Sequence, residues 1–126
     1  MATTGSLRAR LWFGAARVLT RARRPARALA AFRGAVAADP RHAPAWSGIG
    51  FLLAARGECE EAIAAFERAL ALEPQDARSH FNVAHLLQRL GRHEAAIARF
   101  ERALALDPGI DRARKGLDAS RAALEK

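Results

Sequence analysis

A shift of 34 residues lays this chain upon itself, and that period constrains the fold more than any other feature. Residues 60–74 (EEAIAAFERALALEP) and 94–108 (EAAIARFERALALDP) are identical at 12 of 15 positions. In the same register Gly57 falls on Gly91, Ala62 on Ala96, Phe66 on Phe100, Ala69 on Ala103 and Pro74 on Pro108. One more shift toward the N-terminus finds Ala28, Phe32, Ala35 and Pro40, with Trp12 matching Trp46 and Leu19 matching Leu53. Three copies therefore cover about residues 9–42, 43–76 and 77–110.

Each copy predicts two helices joined by a tight turn. In the middle copy Pro44 stands near a helix start, and Gly57 supplies the permissive backbone at which the first helix ends. A second helix over about 59–72 places Ala62, Ile63, Phe66, Ala69 and Leu70 on one face, and Pro74 forces the chain to turn. The first copy has Arg23 in place of the turn glycine, with Pro25 suited to the first position of the following helix. Ala28, Ala62 and Ala96 allow close helix approach, and Phe32, Phe66 and Phe100 fill the space between successive pairs. A two-helix unit cannot bury its apolar face alone, so the copies must stack. Composition agrees: 32 of the 126 residues are alanine, the strongest helix former.

The spacing W-x2-L-G-x2-Y…A-x3-F…P is met by Trp46, Ile49, Gly50, Leu53, Ala62, Phe66 and Pro74. The third copy departs from it in its first helix, with His80, Val83, Ala84 and Leu87, and the first has Ala15 and Ala16 in place of the Leu-Gly pair. On these residues the chain resembles the tetratricopeptide repeat family over about four-fifths of its length. The resemblance implies an all-α, right-handed α-solenoid: one domain over 1–126, made of three helix-turn-helix hairpins. Residues 111–125 suit a closing helix, with Asp111 as N-cap and Leu117 and Leu124 on one face, which leads us to expect a complete seven-helix unit.

Enzymatic signals are lacking in the sequence: it holds no P-loop, G-x-G-x-x-G, H-E-x-x-H or G-x-S-x-G, so neither a catalytic residue nor a cofactor is expected. Cys59 is the single cysteine and stands beside Glu60 and Glu61, which disfavour a thiolate; it reads as a small, half-buried packing residue. His80 and His85 are five apart, a spacing that does not converge on a metal from one helix, and His80 occupies a tryptophan position, where core packing is expected. His42 and His93 read as surface residues near turns. The longest apolar run is too short to span a bilayer, and one cysteine excludes an intrachain disulfide. A cytoplasmic setting is the expectation.

Recognition of another protein remains. In the family resembled, the first helices of successive repeats line a groove that holds an extended peptide or a partner helix. Carried over by position, that groove presents Phe13 and Arg17 from the first copy and Ser47, Gly48 and Phe51 from the second. Arg78, Phe81, Asn82, His85 and Arg89 come from the third, and Arg112 and Lys115 from the closing helix. An amide such as Asn82 donates to and accepts from a peptide backbone, phenyl rings shelter an apolar anchor, and arginines meet carboxylates with forked donors. An acidic segment is thus the expected partner. The carboxylate clamp by which some family members hold heat-shock protein tails is not matched. It would want lysine at 13, asparagine at 17 and 48, lysine at 78 and arginine at 82, and only Arg78 preserves that chemistry.

Charge supplies a second reading. The formal net charge is +8, and residues 1–42 alone carry nine arginines against one acid, Asp39, whereas 43–76 carry two arginines against six acids. Arginine abundance beside alanine has a compositional explanation, yet the segment SLRARLWFGAARVLTRARR also suits a transit peptide or a helix on an anionic membrane surface. Nucleic acid is the weaker partner, since no base-reading motif accompanies the charge. The register of Trp12 and Leu19 favours a repeat helix for the same residues.

Overall fold

The computed structural model describes residues 3–126. Among these residues it has seven α-helices and no strand: α1 (Thr4–Arg21), α2 (Pro25–Ala38), α3 (Ala43–Ala55), α4 (Cys59–Leu72), α5 (Ala77–Arg89), α6 (His93–Leu106) and α7 (Asp111–Leu124). Consecutive helices pair as hairpins α1–α2, α3–α4 and α5–α6; α2 packs on α3, α4 on α5, and α7 on α6. The result is an all-α helical repeat solenoid.

The three hairpin turns are one device used three times. Gly57 (φ +80°) and Gly91 (φ +76°) adopt the left-handed conformation that ends a helix at no steric cost. Around them Gly57 N–H donates to Ala54 O and Glu58 N–H to Leu53 O, both at 3.0 Å, and Gly91 and Arg92 repeat the pair on Gln88 and Leu87. These bonds satisfy carbonyls that the helix end would otherwise leave open. At the first turn Arg23 N–H donates to Thr20 O and Arg24 N–H to Leu19 O, so the same turn forms with Arg23 at φ +57°. Pro25 then opens α2, as expected.

Ala28, Ala62 and Ala96 are completely buried, and Phe32, Phe66 and Phe100 are interior at 5%, 2% and 0% exposure. The rings do not all lean the same way. A Cβ added to Gly48 or Gly116 would collide with the ring of Phe32 or Phe100, so in the first and third hairpins the phenyl reaches forward onto the next helix. Asn82 holds the matching position in α5, and Phe66 lies instead against Gly50 of its own hairpin. The repeat loses its regularity at this boundary, between α3 and α5.

Several expectations are corrected. Helix α1 begins at Thr4, ahead of the expected repeat boundary at 9, because Thr3 caps it by accepting a hydrogen bond from Ser6 N–H at 3.0 Å. Asp111 is the first residue inside α7 and Ile110 holds the N-cap, so the acid acts on the helix dipole rather than as a cap. Leu117 is buried at 7% exposure, but Leu124, in the last turn, stays 48% exposed. His80 is half-buried; its Nε2 pairs with Pro74 O at 2.9 Å, which assigns the ring proton to that nitrogen. His42 and His93 are half-buried too. His42 Nδ1 accepts from Ala45 N–H at 3.2 Å as the N-cap of α3, and His93 Nδ1 pairs with the fully buried Ser120 hydroxyl at 3.2 Å.

Candidate functional site

A cleft of ≈ 270 Å³ opens where the packing loses its regularity. Its walls are Phe51, Ala54 and Ala55 from α3 and Phe81, Asn82, His85, Leu86 and Arg89 from α5, with Phe66 below and Arg112 reaching in from α7. Phe66 forms the floor because Asn82 is too large to receive its ring, and Ala54 and Ala55 leave room opposite Phe81. A second cleft of ≈ 310 Å³ shares Phe81, His85 and Arg112 and extends the surface to Lys115.

The position of α7 decides where Arg112 goes. Gln88 Nε2–H donates to Gly116 O and to Ser120 Oγ, both at 2.9 Å, tying α5 to α7. Arg112 then lies with its guanidinium 5.2 Å from the Phe81 ring centroid, a cation–π contact. Phe81 also stacks on His85 at 6.2 Å and tilts against Phe100 at 6.0 Å, so its ring is held from three sides. Phe51 is 62% exposed, large and apolar.

No carboxylate lines either cleft. Among the described residues neither Arg89 nor Arg112 forms an ion pair, in contrast to Arg92, paired with Glu60, and Arg99, held by Glu67 through two bonds of 2.7 and 2.6 Å. Burial first, then the charges of Arg89 and Arg112, push the His85 imidazole below its ordinary value, so it is neutral at pH 7. The cleft thus joins apolar area to two uncompensated guanidiniums and a neutral imidazole. Such a surface can take an apolar side chain next to a carboxylate.

Of the expected groove residues, Phe51, Phe81, Asn82, His85, Arg89 and Arg112 come together here. Phe13, Arg17 and Arg78 do not line this cleft. Phe13 packs on Phe32 at 5.7 Å and on His42 at 5.0 Å, and Arg17 sits over the Phe13 ring at 5.9 Å. Arg78 stands exposed in the first turn of α5, where its N–H bonds the capping Asp76. Ala54, Ala55, Phe66 and Leu86 line the cleft without having been expected there; the adjacent small pair closing α3 was the signal for the first two. Among the described residues no group of three or more His, Cys, Asp or Glu side chains is placed to hold a metal ion.

Family models described as tetratricopeptide repeat match residues 41–108 and 4–43. No curated protein sequence matches the chain. Among solved structures, the first TPR of Spaghetti (RPAP3) bound to the HSP90 peptide SRMEEVD superposes with a TM-score of 0.92 at 18% identity, covering 96% of each chain. The Yersinia enterocolitica type III secretion chaperone SycD, in complex with a peptide of the translocator YopD, gives 0.87 at 17% identity and again 96% of each. A Thermobaculum terrenum O-GlcNAc transferase mutant gives 0.82 at 26% identity, where 95% of this chain spans 23% of that enzyme. Those likenesses concern the fold; the family rests on the two models, of which the first alone takes in more than half of the sequence. The chain belongs to the tetratricopeptide repeat family.

Proposed function

We propose that this protein is a non-catalytic interaction adaptor that holds an acidic peptide segment or partner helix in the cleft between α3 and α5. The observation that carries this reading is the pair of guanidiniums, Arg89 and Arg112, that form no ion pair among the described residues and border the exposed Phe51 and half-buried Phe81 rings in a cleft without a carboxylate. Two solved structures of the same fold have peptides bound, which is in keeping with it. Phe51 and Phe81 take the apolar anchor, Asn82 bonds the peptide backbone, and Arg89 and Arg112 meet acidic side chains. The chain also departs from a chaperone-tail clamp at four of its five positions, Phe13, Arg17, Gly48 and Asn82, and only Arg78 keeps a cation in the expected place. The proposed segment is therefore acidic with an apolar anchor, and distinct from a heat-shock protein tail.

Selection from a random peptide display library on the immobilised protein tests the reading. Enriched sequences should set Asp or Glu beside a large apolar residue, and Arg89→Glu with Arg112→Glu should shift the selection toward basic sequences while circular dichroism stays unchanged. Enrichment of the same peptides by both proteins would sink it. His85 adds a pH arm with a definite sign. A bound carboxylate favours the imidazolium that burial and the two arginines disfavour, so the complex takes up a proton; affinity rises as pH falls below neutral and levels off only once the lowered imidazole of the free protein is itself protonated. His85→Gln should flatten that rise.

A further inference from the structure

At each internal boundary of the solenoid one face of the incoming helix is covered by the hairpin before it. In α3 that face carries Ala45, Ile49 and Leu52, in α5 Ser79, Val83 and Leu86, and in α7 Ala113, Leu117 and Ser120, all buried. The matching positions of α1 are Leu11, Ala15 and Val18, and all are exposed; Leu11 is 75% and Val18 64% exposed. Leu7, 51% exposed in the extra N-terminal turn, lengthens the row. By helical spacing Arg8 and Trp12 flank this stripe on one side and Arg10 and Arg21 on the other. No acid occurs before Asp39.

From this placement we propose that the outer face of α1 docks on an anionic lipid bilayer, lying in the plane of the interface. Three observations select that occupant. At the three internal boundaries a small residue (Ala45, Ser79 or Ala113) lets the covering helix come close, whereas Leu11 projects at the same position and holds a rigid helix away; lipid chains deform around it. A second copy of the protein would set the same arginine-flanked stripe against itself, since a two-fold interface is self-complementary, and like charges would meet. An apolar ridge edged by arginines and an interfacial indole is the pattern of a surface-lying helix, in which apolar insertion and attraction to acidic headgroups act together. No helix among the described residues is long and apolar enough to cross the membrane, so docking is confined to the surface.

The full chain should co-sediment at low salt with vesicles of equimolar phosphatidylcholine and phosphatidylserine, and not with phosphatidylcholine alone. Binding should fade as salt screens the headgroups. Leu11→Ser with Val18→Ser leaves every arginine in place and alters only exposed positions; it should weaken vesicle binding about tenfold or more with helix content unchanged. Absence of binding at low salt overturns the proposal. So does binding indifferent to the double substitution, which would reduce the effect to charge alone. Failure to bind vesicles together with concentration-dependent self-association that the double substitution abolishes would assign the face to a second copy. Peptide selection by the cleft should be the same in this variant, so the two readings fail independently.

Discussion

Trp12 and Trp46 stand 34 residues apart, at the same place in two helices of the same family pattern, and meet different surroundings. Trp46 is half-buried: its indole N–H donates to Pro40 O at 2.8 Å, and the Arg68 guanidinium lies 4.8 Å from its ring centroid. Trp12 is 48% exposed. Thirty-four residues before Pro40 is Ser6, already inside α1, so no loop carbonyl awaits the indole. The position matching Arg68 is Gly34, and the ring lies on that bare backbone. Further along, His80 bonds Pro74 O and Arg114 bonds Pro108 O at 3.0 Å, just as Trp46 bonds Pro40 O. Three different side chains make the contact, and an identical side chain without a preceding loop cannot. What recurs in this solenoid is an environment that each hairpin creates for its successor.

Phe32 and Phe100 should be free of that effect, because each is interior and packs against the helix that follows its hairpin. Phe32→Ala and Phe100→Ala should each cost about 3–5 kcal/mol, a large share of the roughly 5–15 kcal/mol that holds a domain together. Urea titration followed by circular dichroism measures both. If Phe32→Ala costs less than half as much as Phe100→Ala, the first hairpin opens separately from the rest and the claim of equivalent interiors is broken.

At the tryptophan position the first and second hairpins should diverge. Trp46→Ala removes half-buried area, a hydrogen bond and a cation–π contact, for a loss of about 3 kcal/mol. Trp12→Ala removes partly exposed area only, for about 1 kcal/mol. Equal losses, measured in the same titration, would mean that the Pro40 and Arg68 contacts contribute nothing and that ring burial alone matters.

That divergence also marks how far the sequence could be read. The period, the pattern of small and aromatic residues and the turn residues located the six hairpin helices, since each depends on residues within one hairpin, and the apolar face of Leu117 located α7. Exposure of Leu11 or Trp12 depends on what precedes them in space, which periodicity cannot express. Phe51, Phe81, Asn82, His85 and Arg89 line one candidate cleft because repeat register sets the outward face of a helix. Phe13 escaped that reasoning: it is in register with the groove, but the neighbouring Phe32 and His42 rings draw it into packing. The cleft itself follows from one substitution in the pattern, Asn82 where Gly48 and Gly116 receive a phenyl ring, and its consequence shows only when three helices are placed together.

The smallest effect concerns the turns, where the first hairpin again differs from the others. All three turns share the same hydrogen bonds and a left-handed residue, but Arg23 is there at φ +57° while Gly57 and Gly91 occupy the other two. A side chain in that conformation costs about 1–2 kcal/mol, because Cβ crowds the following carbonyl. Gly57→Ala should therefore destabilise the protein by about 1 kcal/mol, although beyond the two adjoining residues a Cβ there would meet nothing within 4 Å. Arg23→Gly relieves the same crowding but frees the unfolded chain, which offsets roughly 0.4–1 kcal/mol of the gain. The net expectation is a stabilisation of a few tenths of a kcal/mol, read as a small rise in the urea midpoint. Arg23 is exposed and forms no ion pair among the described residues, so its side chain offers little to lose. A fall in the midpoint would show that the first turn is held by the arginine itself, and that the three turns share a geometry without sharing its cause.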